Sequence, residues 1–427
     1  MGILIVSISS IFLSLDSGTQ VKKRFMSYPS KGDAAASDEP SSGRDRSGGA
    51  ITPLAGLRVT DFSQNLAGPY ATQVLADLGA DVVKVEPPGG DPARRWGPPF
   101  IRGQSTLFQA VNRNKRGVVL DLGTEAGQAR ARELARQSDV VFQALRPGGA
   151  ERFGIDYRSV REINPEVVYV SVLAYGTEGP LKNEPGYDPL MQAMSGLMSV
   201  TGEPGGNPVR AGASVVDLGA GMWIAIGVLG ALRERDRTGR GCHVTVSLLD
   251  TALAWMSYHV TGYLATGSVP GPMGTSIAMI APYEAFPCSD GSVMIAAGND
   301  VIFRRLCDAL GLELATHADY SENASRVANS AALARLVAER TRRHSVSALL
   351  RLLRDHRVPA APIHDVASAL ADPQTAATGM VQRHEDPELG DYVDIPMPIR
   401  WDGRRAALRR FPPLSGEHQG ELFPDDE

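Results

Sequence analysis

A chain of 427 residues that is 43% hydrophobic and 21% charged is long enough for roughly two or three domains with a sizeable core. Its 43 Lys and Arg are outweighed by 48 Asp and Glu, a net charge of −5, which excludes nucleic-acid binding driven by phosphate neutralisation. The three cysteines, Cys242, Cys288 and Cys307, include no Cys-x-x-Cys pair; this excludes a disulfide scaffold or a thiolate zinc site and fits a reducing compartment, so a cytoplasmic location is expected.

At the N-terminus, residues 3–15 (ILIVSISSIFLSL) are apolar. They fall short of the about 20 residues that span a bilayer, and no basic residue precedes them as in a secretory signal. They read as an untranslated or non-native upstream extension or an idle tail; as a targeting segment they would direct the chain to an organellar matrix. Residues 27–50 contain no Ile, Leu, Val or Phe, too little apolar surface to offset the entropy of ordering. Residues 1–52 are therefore expected to be a disordered extension, with the folded body starting near Pro53.

β-Branched runs follow at 58–62, 81–86, 116–122, 139–144 and 167–175, with helical patterns at 68–79 and 124–137 between them. Apolar strands alternating with helices predict an α/β fold with a parallel sheet covered on both faces, and ligands in such sheets sit beyond the carboxyl ends of the strands. The first strand runs into SQNLAGPYA (63–71) and not Gly-x-Gly-x-x-Gly, which argues against a nicotinamide or flavin site. Val215 and Val216 read as the end of a strand, and Asp217 opens the longest apolar stretch, 218–232, bounded by charge and read as a buried core helix. A strand at 243–250 and a helix at 251–265 come next. The Gly/Pro-rich segment 267–276 reads as a flexible connection or active-site loop. Residues 281–300 predict a hairpin turning at Ser289-Asp290-Gly291, and 301–356 are helical, with a basic piece at 335–357 that reads as a solvated face. The Pro-rich tail is expected to pack back on the first domain. The divisions are thus 53–275, a small domain at 276–365, and a returning segment at 366–427.

For chemistry, Asp217 at a helix start has two readings. It is either an N-cap, held ionised by backbone N–H groups and the helix dipole, or a carboxylate nucleophile. A basic constellation (Arg94, Arg95, the NRNKR run at 112–116, Arg146 and Arg152) suits a polyanionic small molecule or is solvated surface. There is no P-loop, no His-Glu-x-x-His and no His pair at helical spacing, so no metal site is expected. The cysteines read as core residues.

Six segments in consistent order over 53–420 carry a resemblance: 53–100, NRNKRGVVLDL (112–122), LRPGGAERFGI (145–155), AYGTEGPLKNEPGYD (174–188), GASVVDLGAGM (212–222) and GRGCHVTVSLLD (239–250). Together they resemble the family III CoA-transferases. The resemblance implies a Rossmann-like parallel-sheet large domain built from both chain ends, a smaller α+β middle domain, and an interlocked homodimer. It implies a coenzyme A thioester as substrate, with no tightly bound cofactor and no membrane or nucleic-acid partner. The reaction would move CoA from an acyl-CoA to a small carboxylate or dicarboxylate through an aspartyl anhydride and an aspartyl-CoA thioester. Segments 96–100, 105–116 and 274–286 look most like members that use succinyl-CoA as donor.

By the same resemblance the catalytic aspartate falls on Asp217, and CoA contacts fall on Ala67, Leu120, Asp121, Leu122, Ala144, Leu145 and Arg146. Arg152 matches an arginine at the CoA phosphates. Tyr187 matches a tyrosine near the active site, and Asp188 an acidic residue close to the nucleophile. A loop carrying Gly271 and Gly274 would cover the aspartate, its backbone N–H groups and that of Leu218 stabilising oxyanions. Arg210 or Arg94 would pair with a second substrate carboxylate. Leu66 stands where the formyl-type member has Gln, which argues against formyl or oxalyl as acyl group, and Ala144 replaces the usual Asn. Related 2-methylacyl-CoA racemases have a proton-shuttling His where Tyr187 stands, and a phenol with a pKa near ~10 is a poor substitute. A racemase and a non-catalytic CoA-binding homologue are the alternatives.

Overall fold

The computed structural model describes residues 51–101, 103–386 and 390–424. The targeting segment and all but the last two residues of the expected 1–52 extension lie outside the described residues; Ile51 and Thr52 are described, and the Thr52 carbonyl accepts the Ala55 N–H at 3.0 Å.

The five β-branched runs and the strand expected at 243–250, which ends at Ser247 where a helix begins, form six strands: β1 (Arg58–Asp61), β2 (Asp81–Glu86), β3 (Lys115–Val119), β4 (Val140–Gln143), β5 (Val168–Leu173) and β6 (Cys242–Ser247). They pair in parallel throughout, in the order β3-β2-β1-β4-β5-β6. Val140, Val141 and Phe142 are fully buried, as a central strand covered on both faces requires. The chain order reverses between β1 and β4, so the turns leaving their carboxyl ends diverge and open a crevice. Those turns are residues 62–66, leading into helix α1 (Ala67–Asp77), and 144–148.

Helix α2 (Asp188–Met194) and helix α3 (Val215–Thr238) follow β5, and α4 (Leu248–Trp255) follows β6. The strand expected at Val215–Val216 is absent: both residues are already in the first turn of α3. Two β-branched residues are too few to hold a ladder, and the N–H of Val216 is drawn instead to the Asp188 carboxylate, at 2.8 Å. Val216, Ala220, Ile224, Val228 and Leu232 of α3 are buried against α1 and the sheet, a stripe at helical spacing. Gly221 permits this approach, because a Cβ there would lie 2.9 Å from the Ala67 carbonyl oxygen and 2.7 Å from the Tyr70 ring. By length and composition alone α3 could cross a membrane, yet one face is fixed in the core. The opposite face leaves Met222, Trp223, Ile226 and Leu229 exposed.

A second core forms around the hairpin β7 (Tyr283–Pro287) and β8 (Ser292–Ala296), with β9 (Ala360–Pro362) antiparallel on β8. Phe286, Val293, Ile295, Phe303, Leu306, Leu333, Val337, Leu349 and Leu353 fill it. Inside lies the buried guanidinium of Arg326, bonded to the carbonyls of Ala281 and Tyr320 and to Asp300, and lying over Phe303. The basic piece is a solvated face: Arg335, Arg342, Arg343, Arg351, Arg354 and Arg357 are exposed while Leu349 and Leu353 point inward.

Beyond residue 390 the chain runs back along β3. His418 N–H donates to the Gly117 carbonyl at 3.0 Å, Gly117 N–H to His418 Nδ1 at 3.3 Å, and Val119 N–H to Gln419 Oε1 at 3.0 Å. Asn114 accepts the N–H groups of Arg409 and Arg410, Arg113 forks onto Asp77 and reaches Asp394, and Arg116 bridges Asp81 and Glu421. The 112–116 run is therefore an internal fastening. Its cations are neutralised by carboxylates, which removes it from the basic constellation expected to meet a polyanion.

Candidate active site

A cleft of about 360 Å³ opens at the carboxyl ends of the strands. Its walls are residues 64–68 between β1 and α1, Ala144–Pro147 after β4, Val172–Ala174 at the end of β5, and Lys182 and Glu184–Tyr187 from the loop that follows. Pro92, Trp96, Leu248 and Asp217 complete it. Of the residues expected at the site, Ala67, Ala144, Leu145, Arg146, Tyr187 and Asp217 thus share one cleft.

Asp188 lies just beneath and is buried. Its Oδ2 accepts the N–H groups of Val216, at 2.8 Å, and Asp217, at 3.3 Å. The first turn of α3 is therefore capped from another helix: Ser214 occupies the cap position with no side-chain bond, and Asp217 is the third helical residue. The expectation that Asp217 caps its own helix and is thereby held ionised is corrected, since the amides that would stabilise it serve Asp188. Burial and then the nearby Asp188 charge push the Asp217 carboxyl up to about 7. An attacking carboxylate must be ionised, so the transfer rate is expected to rise with pH and level off above about 7. Asp188→Asn removes the neighbouring charge and should move that midpoint to lower pH, which a pH–rate profile in both proteins checks.

The remaining expected positions lie elsewhere. Leu120 is buried in the core, and Asp121 and Leu122 follow the edge strand β3, where Asp121 accepts the Gly123 N–H at 2.9 Å. Arg152 is exposed on a short helix, its guanidinium over Phe153. Gly271 and Gly274 belong to an exposed loop resting on residues 202–203, where Gly274 N–H donates to the Gly202 carbonyl at 2.8 Å. Leu218 N–H is bonded to the Ser214 carbonyl at 3.0 Å. Both amides are engaged, so the expected oxyanion donors Leu218 and Gly274 are not free in this chain. Arg94 is also engaged, forked onto Glu86 at 2.7 and 2.6 Å, bonded to the Pro413 carbonyl and stacked 3.8 Å from the Phe108 ring centre. It is not among the residues that line the cleft; Arg210 is exposed. Burial raises the thiols of Cys242, Cys288 and Cys307, the last to about 11, and none lines the cleft.

A family model described as CoA-transferase family III matches residues 54–419. The chain belongs to that family. This CoA-transferase is 38% identical to the succinate–glutarate CoA-transferase of Agrobacterium fabrum over 386 residues, 88% of this chain and 96% of that protein. It is 40% identical to the acetyl-CoA:oxalate CoA-transferase of Acetobacter aceti over 332 residues, 77% of this chain and 85% of that one. Among solved structures it is similar to a CaiB/BaiF family protein from Brucella suis, with a TM-score of 0.78 and 39% identity across 88% of this chain and 99% of that one.

Several groups of the CoA-transferase cleft escaped sequence reading. Lys182 and Glu184 line it, but a charged pair in a polar loop looks like any solvated turn. Gln143 ends β4, with Oε1 accepting the Leu145 N–H and Nε2 donating to Ser171, each at 2.8 Å. It thereby fixes the wall at Ala144–Pro147; its signal was a polar side chain ending an apolar strand.

Proposed function

We propose that this CoA-transferase moves CoA from succinyl-CoA to a small dicarboxylate, with Asp217 as nucleophile. The observation that carries the reading is that Asp217 lines the strand-end cleft together with Ala67 and Ala144–Arg146. The ionised carboxylate attacks the thioester carbonyl, giving a mixed anhydride and CoA thiolate. The thiolate attacks the aspartyl carbonyl, succinate leaves, and an aspartyl-CoA thioester remains. The acceptor carboxylate then attacks this thioester, forming a second anhydride and freeing the thiolate again. Attack of the thiolate on the acceptor's acyl carbonyl releases the new acyl-CoA and restores Asp217. Over the whole cycle one carboxylate and one thioester are exchanged for another carboxylate and thioester, so no net bond energy has to be supplied. Water must be kept out because it would hydrolyse either anhydride. Arg146 and Lys182, exposed cations on the cleft wall, complement the CoA phosphates.

Dicarboxylate use is supported by relatives named for glutarate, mesaconate and citramalate. A second reading, with oxalate rather than a longer diacid as acceptor, is favoured by the name of the Acetobacter protein and opposed by Leu66. Succinyl-CoA incubated with glutarate, mesaconate, citramalate and oxalate, followed by chromatography of the CoA esters, decides between them. Product from a longer diacid supports the first reading and product from oxalate alone the second; no product from any of them sinks both.

The interlocked homodimer is proposed on the apolar face that α3 leaves open. Trp223 and Ile226 continue onto Trp255, Tyr258, Tyr263 and Leu264, all exposed in the single chain, and a patch this extended marks an association surface. Sedimentation equilibrium should give two chains per particle, and one chain would overturn the proposal.

A further inference from the structure

The turn that carries Asp217 is held by a side chain beyond the cleft. Gln192 lies on α2 one turn after Asp188 and is fully buried. Its Nε2 donates to Asp188 Oδ1 at 2.6 Å, and its Oε1 accepts the N–H of Ala211 at 2.9 Å. One amide thus grips two things: the carboxylate that caps α3, and the segment 211–214 that delivers the chain to α3. The other oxygen of Asp188 holds the backbone of Val216 and of Asp217 itself. The path runs Ala211 to Gln192 to Asp188 to Asp217, closing a loop around the first turn of the helix.

A buried glutamine that merely satisfies itself would need only some donor and some acceptor. Both bonds of Gln192 instead go to the groups that set the register of the Asp217 turn. Asp188 stays a two-sided acceptor only while each oxygen has a donor, and Gln192 is the donor on the side away from α3. A displacement of about 1 Å at a reacting group can lower a rate about a hundredfold.

We propose that Gln192 is a positioning residue for the nucleophile, fixing Asp217 through Asp188 and through the 211–214 segment. The proposal rests on the reading of Asp217 as nucleophile. The test uses the full-length protein, wild type and Gln192→Met, mixed rapidly with succinyl-CoA, with intact mass spectrometry following the CoA adduct. Dissociation constants for free CoA are measured by calorimetry on the same samples. In the variant, adduct formation should slow by about ten- to a hundredfold while CoA affinity stays within threefold. Equal rates in the two proteins would overturn the proposal, as would a loss of rate matched by an equal loss of affinity. Gln192→Asn, one methylene shorter and unable to span Asp188 and Ala211 together, should show the same split and replaces Gln192→Met if that variant does not fold. Absence of any adduct in the wild type would instead count against the nucleophile itself, so the two failures are distinguishable.

Discussion

With Asp217 changed to alanine, transfer from succinyl-CoA should fall by about a thousandfold or more, and the CoA adduct should disappear from the intact mass spectrum. Loss of activity alone is a weak result, because many substitutions inactivate by unfolding. Here the same change should make the protein more stable. The carboxyl of Asp217 is pushed up to about 7, first by burial and then by Asp188, above the usual carboxylate range. Between about pH 4 and 7 the chain therefore takes up a proton at this position on folding, and its stability falls as pH rises through that window. Above about pH 7 the ionised side chain is a net cost to the fold, and alanine removes it. At pH 8 the variant's Tm should rise by a few degrees while its activity is lost, the trade-off expected at a site built for reactivity. A variant that is inactive and also melts earlier at pH 8 would contradict this account; full retention of transfer would remove Asp217 from the chemistry.

Lys115→Met should have the largest effect on stability. The Lys115 ammonium is fully buried, 2.8 Å from the Pro69 carbonyl and from Asn112 Oδ1, and 3.3 Å from Asp61. Burial pulls its pKa down to about 7 against the pull of Asp61, with Lys84 lowering it further. Asp61 is in the reverse position. Burial would raise it, but Lys115, Lys84 and the hydroxyls of Ser63 and Thr72 bring it below the ordinary carboxylate value. A methionine matches the lysine in length but strands the Asp61 charge with one ammonium fewer. Breaking a buried pair in this way costs about 3–5 kcal/mol, and urea or thermal unfolding of the variant measures it. The damage should reach the cleft, because Ser63 donates both its N–H and its hydroxyl to Asp61 and opens the turn that supplies Gln64, Asn65 and Leu66 to the wall. CoA affinity should therefore weaken along with stability, whereas a variant with wild-type stability would show that the pair is neutral to the fold.

The sheet was readable because its strands are continuous β-branched runs bounded by turns, a local signal. DVVKVE at 81–86 is a strand with those same bounds. The hairpin around Ser289-Asp290-Gly291 was readable for the same reason. The start of α3 was misread because the local cue, two valines before an aspartate, was overruled by a carboxylate from Asp188, 29 residues earlier. The 112–116 part of the basic constellation fails in a similar way, while Arg146 does reach the cleft. Arg113 and Arg116 look available in sequence, and only the fold brings Asp77, Asp394, Asp81 and Glu421 to them. Asp217 could be singled out by its neighbours but not given a protonation state, since that depends on burial and on one partner from elsewhere in the chain. Gln192 carried no signal at all, being a polar residue in a short helical stretch.

The strip of backbone around His418 and Gln419 that seals the margin of the sheet has a consequence for biosynthesis. Until His418 and Gln419 have been made and have left the ribosome, β3 presents unpaired amides and carbonyls on the sheet's outer edge, and such an edge recruits other chains. The nascent protein can assemble its first core long before it can close that edge. Chains released early, or cut short before residue 418, should be captured by chaperones or found in inclusion bodies, even though every residue of the cleft has already been made.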